Sequence, residues 1–281
     1  MIPKPAGAPL DPHQGLPSAR PRPLAELPAA ALAGVAGVMT DIDDTLTRDG
    51  AIEPAALAAL HALAEAGVPV VAITGRPVGW SRPFAAAWPV AAIVPENGAV
   101  ALIREGGRVV TEYAQDAATR ATNAQRLQAA AARVLSEVPG AMLAQDSAGR
   151  ETDIAIDHSE FAQLSPAAIA QVVAVMRSEG LTATVSSIHV NGWIGSHSKW
   201  TAAQWMLERL FARALAPEIG RWVYVGDSTN DQLMFRHFPL SVGVANLMHF
   251  AAQLQDWPAY ITVRERGEGF AEVAARLLAA R

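Results

Sequence analysis

The sequence contains no cysteine among its 281 residues, and it lacks any dense run of lysine and arginine. Without cysteine, disulfide bonds, thiolate metal sites and cysteine nucleophiles are all excluded, which suits a reducing compartment. The net charge of -5 argues against nucleic acid or an anionic membrane surface as the main partner. We therefore expect a small acidic or neutral molecule as the binding partner.

Long apolar runs and the common nucleotide-binding motifs are also missing. The apolar segments are short and interrupted, so we predict a cytoplasmic protein without a membrane span. No G-x-x-x-x-G-K-[ST] occurs, and no G-x-G-x-x-G opens a helix. The first 28 residues are rich in proline, and we predict a disordered tail over residues 1–33.

Past the tail, short apolar runs alternate with alanine-rich stretches of helical spacing, which predicts an α/β core with a parallel sheet. The pattern changes near Ala99, where Glu105-Gly106-Gly107 predicts a hairpin and a long helix follows from Ala117 to Glu137. We predict a core formed by residues 34–98 and 192–281, with an inserted α+β domain over residues 99–191. Hinges are expected near Gly98 and Gly192.

The stretch "TDIDDTLT" places Asp41 and Asp43 directly after an apolar strand. Two carboxylates about 4 Å apart repel by roughly 4 kcal/mol at an intermediate dielectric, so the cluster requires a positive partner. Asp227 and Asp231 follow another apolar strand in "VYVGDSTND". Ligand crevices lie at the carboxyl ends of parallel strands, and a hard cation such as Mg²⁺ prefers oxygen ligands. The sequence therefore predicts a magnesium site at this edge.

Thr74 and Gly75 end the second strand in "AITGRP", and Lys199 opens a helix in "SHSKW". These groups suit phosphoryl transfer, because a hydroxyl, an amide and an ammonium group can hold phosphate oxygens. Asp41 would attack phosphorus, and Asp43 would exchange protons with the leaving alcohol and with water. Alternatively, Lys199 is an ordinary solvated lysine, and the aspartates only cap helices and turns.

The four segments "DIDDTLT", "ITGRP", "SHSKW" and "GDSTND" resemble the ordered motifs of the haloacid dehalogenase superfamily. The resemblance implies a Rossmann-like core and an inserted α/β cap. It also implies a phosphoaspartyl intermediate on Asp41, with Asp43 and Lys199 completing the catalytic set together with Thr74. Mg²⁺ would be held through Asp41, the main chain of Asp43, and the two aspartates of the last motif, Asp227 and Asp231.

Within that superfamily, an aspartate two positions after the nucleophile is typical of phosphatases and phosphomutases. The insert resembles the cap of the branch that contains sucrose-phosphate, trehalose-phosphate and mannosyl-phosphoglycerate phosphatases and phosphomannomutase. A sugar phosphate or sugar-phosphoglycerate is therefore the expected substrate. The resemblance also places Asn97 of "PENGA" at the passage from core to cap and Asn230 beside the phosphate.

Further substrate contacts are predicted at Arg76 and in the insert. His189, Asn191 and Trp193 alternate along one strand, so they share one face, which could line the cleft. Alternatively, Trp193 belongs to the core and His189 is structural. Asp153 and Asp157 alternate with isoleucines in the same way, and we interpret them as a solvated face.

Three functions are compatible with these residues. The first is a magnesium-dependent phosphatase acting on a phosphate monoester. The second is a phosphomutase on the same core, and the third is a catalytically silent binding module. Since Asp41, Asp43 and Lys199 are all present, the sequence favours an enzyme, and it leaves the oligomeric state open.

Overall fold

The structure is a computed structural model that describes residues 20–281. Its strands are β1 (Arg22–Pro23), β2 (Gly37–Thr40), β3 (Thr47–Arg48), β4 (Ala51–Ile52), β5 (Val70–Ile73), β6 (Ala92–Val94), β7 (Val100–Glu105), β8 (Arg108–Tyr113), β9 (Met142–Leu143), β10 (Asp153–Asp157), β11 (Thr182–Val185), β12 (His189–Trp193), β13 (Trp222–Gly226), β14 (Leu240–Gly243) and β15 (Tyr260–Ile261). Its α-helices are α1 (Ala29–Ala33), α2 (Pro54–Glu65), α3 (Val78–Ala87), α4 (Ala117–Glu137), α5 (Pro166–Ser178), α6 (Lys199–Phe211), α7 (Gln232–His237) and α8 (Arg266–Leu278). None of the helices in this range is long and apolar enough to cross a bilayer.

The larger sheet has the strand order β1-β15-β14-β13-β2-β5-β6-β7-β8. Neighbouring strands are parallel from β1 across to β6. Helices α2, α3 and α8 pack on one face, and α6 and α7 pack on the other. Because both faces are covered, the central strands are continuous apolar runs such as Val70–Ile73. The predicted α/β class is confirmed.

The strand order explains why the predicted motifs meet. Strands β13, β2 and β5 are parallel neighbours, so their carboxyl ends lie at one edge of the sheet. Asp227, Asp41 and Thr74 each follow one of these three strands directly. Residues far apart in the chain are thereby brought to a single crevice.

The smaller sheet is antiparallel, with the order β11-β12-β10-β9. Helices α4 and α5 cover one face of it through a cluster that includes Ile156, Met176 and Val190. This is the predicted α+β insert. Its other face carries polar side chains and lies against the motif edge of the larger sheet, where Asn191 donates to the carbonyl of Gly75.

Two details of the predicted insert are wrong. The hairpin of β7 and β8 does turn at Gly106 and Gly107, both with positive φ, but β7 pairs with β6 of the larger sheet. The apolar start of β7 is fully buried there, which explains why it extends the core. Gly192 is also no hinge, since it pairs with Ile154 and Ala183 on its two sides within the small sheet.

The prediction of a disordered tail over residues 1–33 is wrong for its second half, and residues 1–19 lie outside the described range. Strand β1 pairs in parallel with β15 at the sheet edge, where the missing N–H of Pro23 is tolerated. Leu24, Leu27 and Leu32 are buried, and Arg276 donates to two carbonyls of the segment. These three leucines provide apolar area that offsets the ordering entropy.

Candidate active site

Lys199 lies between two carboxylates at the centre of the crevice. Its Nζ is 2.9 Å from Asp41 Oδ2 and 2.7 Å from Asp231 Oδ1. Ser198 caps the start of α6 and fixes the position of the lysine. Burial alone would lower the pKa of Lys199, but Asp231 and Asp41 raise it above its ordinary value. Lys199 is therefore a buried cation, and the solvated-lysine alternative is wrong.

Asp41 is buried and faces three charged neighbours. Burial raises its pKa to about 7, Lys199 opposes this, and the nearby charges of Asp231 and Asp43 add to the rise. Its Oδ1 accepts a 2.8 Å hydrogen bond from the amide of Ile42. A carboxylate must be ionised to act as a nucleophile, so this site favours additional positive charge.

Asp227 shows the strongest need for a cation. It is fully buried, and within residues 20–281 its oxygens have only long contacts, 3.4 Å from Thr45 Oγ1 and 3.5 Å from Asn246 Nδ2. Burial raises its pKa well above the ordinary value, and the charges of Asp231 and Asp41 raise it further. Ligand oxygens of Asp41, Asp227 and Asp231 all lie within 4.8 Å of one another. This oxygen-only set fits a hard divalent cation.

Asp231 differs from Asp227 because both of its oxygens already accept hydrogen bonds. Oδ1 accepts from Lys199 and Tyr224, and Oδ2 accepts from the amides of Asp227 at 2.9 Å and Ser228 at 3.2 Å. A Cβ at Gly226 would lie 2.5 Å from Asp231 Cγ, so only glycine fits there. Asp231 thus shapes the loop that carries Asp227 and holds Lys199, whereas its predicted role as a metal ligand stays a prediction.

The "ITGRP" segment lies beneath the insert. The hydroxyl of Thr74 is buried and accepts from the amide of Arg76 at 3.1 Å. The carbonyl of Gly75 accepts from Arg150 Nη1 at 2.9 Å and from Asn191 Nδ2 at 3.3 Å. A side chain at position 75 would press on Asn191, since a Cβ there would lie 3.1 Å from its Oδ1. The insert therefore contacts the segment predicted to hold phosphate.

Arg76 joins Asp43 to the insert. Its Nε donates to both oxygens of Asp43, at 2.8 and 3.0 Å, while Nη1 and Nη2 reach Asp146 and Glu160. Burial raises the pKa of Asp43, and Arg76 opposes that rise. The predicted contact of Arg76 with phosphate is not what this geometry shows, because all three guanidinium nitrogens point to carboxylates.

The insert has a polar face, as the alternation of residues along β12 predicted. His189 Nε2 lies 2.9 Å from Glu160 Oε2, and Asn191 contacts Gly75 as described above. Trp193 instead donates to the carbonyl of His197 and stacks on its ring, so its packing alternative fits the geometry. The interpretation of Asp153 and Asp157 as a solvated face is wrong, since both are buried.

The two asparagines that were predicted to contact substrate lie near the crevice and differ in their hydrogen bonding. Asn97 has a positive φ of 55°, and its amide donates to the carbonyl of Thr74. Its buried Nδ2 has no hydrogen-bond partner within residues 20–281, so it is a free donor beside Gly75. Asn230 accepts from the hydroxyl of Ser228 at 2.9 Å. The donor of Asn97 is buried, whereas Asn230 is partly exposed.

A cleft of about 390 Å³ opens between the two sheets next to these residues. Asp43 and Asp227 line it from the core, and Glu160, Phe161 and Ser187 line it from the insert. Such a volume suits a small molecule. The site is therefore enclosed by both parts of the chain.

Sequence reasoning missed the residues that attach the insert to the core. Glu96, next to the predicted Asn97, is fully buried and accepts from the amides of Val78, Glu151 and Thr152, and from the hydroxyl of Thr152. A charged residue inside "PENGA" was a usable signal for Glu96. Arg150, Asp146 and Glu160 gave no signal for this attachment, because the core residues that they contact, Gly75 and Arg76, are distant in the chain.

We expect Glu96→Gln to lower the free energy of unfolding by about 2 kcal/mol, since the amide group would oppose backbone donors that now meet a carboxylate. Thermal or urea unfolding measures the loss. Glu151→Gln is the matched control, because Glu151 is exposed and its side chain contacts only the Tyr113 hydroxyl among the interactions described. Equal stability of the two variants would contradict the anchoring role of Glu96.

His197 predicts a pH dependence of stability. Burial lowers its pKa from 6.5 to about 4, and neither ring nitrogen has a hydrogen-bond partner within residues 20–281. Below pH 6.5 the unfolded chain binds this proton more readily, so stability is lost as pH falls toward 4. The full effect is about 3 kcal/mol.

His197→Phe should therefore lose less stability than the parent between pH 6.5 and 4.5 in urea unfolding. The variant keeps a ring against Trp193 but cannot titrate. His61→Gln, on an exposed position of α2, is the control and should follow the parent. Identical pH profiles for parent and His197→Phe would exclude this source of acid sensitivity.

Part of the chain that forms this site is similar to a known family. Residues 38–139 match the family described as haloacid dehalogenase-like hydrolase. This part of the chain is similar to haloacid dehalogenase-like hydrolases. The matched segment contains Asp41, Asp43 and Thr74, and the structure adds Lys199 and Asp227 to the same crevice. No curated protein matches the sequence.

Solved structures share the fold of this chain over nearly their whole length. Sucrose-phosphatase from Synechocystis sp. PCC6803, in complex with sucrose and phosphate, is 18% identical with a TM-score of 0.62, and the alignment covers 85% of this chain and 96% of that one. The C-terminal domain of trehalose-6-phosphate phosphatase from C. albicans is 13% identical with a TM-score of 0.65, covering 93% and 99%. Thermoplasma acidophilum protein 0175 is 16% identical with a TM-score of 0.65, covering 87% and 98%. At these identities the likeness concerns the fold.

Proposed function

We propose that this protein is a magnesium-dependent phosphatase that cleaves a phosphate monoester, a sugar phosphate or sugar-phosphoglycerate, through a phosphoaspartyl intermediate on Asp41. The observation that carries the proposal is the crevice in which Asp41 lies between the buried cation Lys199 and the poorly hydrogen-bonded carboxylate of Asp227. Nucleophile, cation and acidic ligand thus meet where the cleft begins.

The chemistry follows from the positions of these groups. A carboxylate oxygen of Asp41 attacks phosphorus, the bond from phosphorus to the ester oxygen breaks, and Asp43 gives a proton to the leaving alcohol. Asp43 then takes a proton from water as that water attacks the phosphoaspartate, which releases phosphate and restores Asp41. Lys199 stabilises negative charge on the phosphoryl oxygens throughout.

Thr74 and Asn97 are suited to hold the phosphoryl group before attack. The Thr74 hydroxyl follows the strand next to that of Asp41, and the Nδ2 of Asn97 is an unused buried donor nearby. Substrate binding would satisfy that donor, which otherwise carries a desolvation cost. Gly75 and Asn230 remain predicted contacts of the same group.

The acidic residues fit a bound Mg²⁺. Asp41 and Asp227 would hold it, because the Asp227 oxygens have only long contacts while those of Asp231 are already engaged. When bound, Mg²⁺ would neutralise charge on the carboxylates and on the phosphoryl oxygens. Asp231 would then act by fixing Lys199 and the loop before Asp227.

The proposed substrate class is supported by the cleft and by the fold relatives. Glu160, Ser187 and Ser159 of the cap line the cleft, and such groups hydrogen-bond hydroxyls. Two of the similar structures are, by name, a sucrose-phosphatase and a trehalose-6-phosphate phosphatase. We assign the small sheet with α4 and α5 to the cap, and the larger sheet with its helices to the core.

Phosphate release from a panel of sugar phosphates, phosphoglycerate derivatives and phosphoglycolate tests the proposal. Turnover should require Mg²⁺, stop with EDTA and return when Mg²⁺ is restored. Isomer conversion without net phosphate release would select a phosphomutase instead. Metal-independent turnover would contradict the metal site, and no turnover of any ester would favour a silent binding module.

A further inference from the structure

We propose that Glu160 and Asp146 of the cap are positioning residues that act through Arg76 to hold the carboxylate of Asp43 in place for proton transfer. The inference rests on the proposed phosphatase function and deepens it. It makes the docked cap part of the acid/base machinery, in addition to its role as a cover over the cleft.

The guanidinium of Arg76 is shared among three carboxylates. Nε lies 2.8 and 3.0 Å from the two oxygens of Asp43, Nη1 lies 3.3 Å from Asp146 Oδ2, and Nη2 lies 3.0 Å from Glu160 Oε1. The side chain is only 5% exposed, and its Cζ lies 5.1 Å from the centre of the Trp80 ring. Because the guanidinium is planar, fixing the two terminal nitrogens also fixes the direction of Nε.

The two cap carboxylates also have partners within the cap. Asp146 Oδ1 accepts from Arg150, which also donates to the carbonyl of Gly75 in the core. Glu160 Oε2 lies 2.9 Å from His189 Nε2. Burial would raise the pKa of Glu160, but His189 and Arg76 lower it to about 2, so it is ionised. The cap thus presents two fixed anions to Arg76.

This arrangement makes the position of the Asp43 carboxylate depend on docking of the cap. Asp43 and Arg76 belong to the core, whereas Asp146 and Glu160 belong to the cap, so the two terminal nitrogens have these partners only when the cap is docked. Without them, only one side of a long, flexible side chain is held, and the carboxylate of Asp43 is free to turn with it.

The alternative is that the ion pairs only attach the cap. The two roles differ in how they depend on the leaving group. An alkyl phosphate needs protonation of its poor leaving alcohol, whereas p-nitrophenyl phosphate has an acidic leaving group and needs little help from Asp43. The kcat/KM value reports formation of the phosphoaspartate. The ratio of kcat/KM for the alkyl ester to kcat/KM for p-nitrophenyl phosphate therefore isolates the contribution of proton donation by Asp43.

The experiment compares Glu160→Gln and Asp146→Asn with the parent chain on p-nitrophenyl phosphate and on the alkyl phosphate that the parent hydrolyses fastest in the panel above. We expect kcat/KM for the alkyl ester to fall by about 30-fold or more, and that for p-nitrophenyl phosphate by less than about 3-fold. Glu151→Gln is the matched control, because Glu151 is also a cap carboxylate but its side chain accepts from the Tyr113 hydroxyl, away from Arg76, and the variant should change neither ester.

Arg76→Lys provides a second test that keeps the charge. Lysine cannot reach three carboxylates in a plane, so the alkyl ester should again be affected selectively. Unfolding midpoints identify variants that fail to fold. Equal losses on both esters in Glu160→Gln and Arg76→Lys, or unchanged values, would overturn the inference. If the parent hydrolyses neither ester, the proposed function itself fails, and the two failures are thereby distinguishable.

Discussion

Asp41→Asn is expected to abolish phosphate release, with a fall of about 10⁴-fold or more in kcat, because the amide cannot form the phosphoaspartate. Asparagine keeps the shape of the side chain and removes one of several repelling carboxylates. The folded structure should therefore persist, although among the residues that the structure describes Lys199 keeps only Asp231 as an ion-pair partner. Phosphate release and the midpoint of thermal unfolding, measured on the same preparation, check both parts.

Asp44→Asn is the matched control in the same short stretch. Asp44 pairs with Arg266 at 2.7 Å and has no ion pair with Lys199 within residues 20–281. Turnover should survive this substitution. Substantial turnover by Asp41→Asn, or equal inactivation by Asp44→Asn, would remove Asp41 from its assigned role.

Lys199→Met should lose both activity and stability. Removing the ammonium group leaves Asp41 and Asp231 buried without their shared cation, and breaking a buried ion pair from one side costs about 3–5 kcal/mol. Turnover should also fall, because no other cation lies 2.9 Å from the Asp41 carboxylate within residues 20–281. Urea unfolding and phosphate release measure the two losses separately.

The double variant Lys199→Met with Asp231→Asn separates the loss of stability from the loss of activity. Neutralising Asp231 removes one of the unpaired charges, so part of the stability should return while activity does not. If Lys199→Met alone is as stable as the parent, the negative charges of Asp41 and Asp231 are compensated in another way. Recovered turnover in the double variant would contradict the role of Lys199 at the phosphoryl group.

Much of the core site was predictable because it depends on local chain geometry. Asp41, Thr74 and Asp227 each stand directly after a short apolar run, and parallel strands bring such positions to one edge. The spacing of Asp41 and Asp43 and the position of Lys199 before a helix were also visible in the sequence. The order of motifs then indicated a resemblance to the haloacid dehalogenase superfamily, and the structure places Lys199 against Asp41 as expected for a shared site.

Other predictions failed where packing decided the outcome. The hairpin of β7 and β8 was recognised as a hairpin, but its assignment to the cap was wrong because its apolar residues complete the edge of the larger sheet. Proline content predicted disorder up to residue 33, whereas Leu24, Leu27 and Leu32 pack on the core. Periodicity gives the type of an element, and the partner that buries its apolar face lies elsewhere in the chain.

By itself the sequence determined the α/β class, the insert and the acidic centre, since each of these is written in short runs of neighbouring residues. Only the tertiary structure decided that Arg76 faces Asp43 and two cap carboxylates, that Asp231 is already saturated with donors while Asp227 is not, and that Glu96 anchors the cap. These contacts join residues that are distant in the chain, and the free energy of a buried charge depends on the groups that surround it in space.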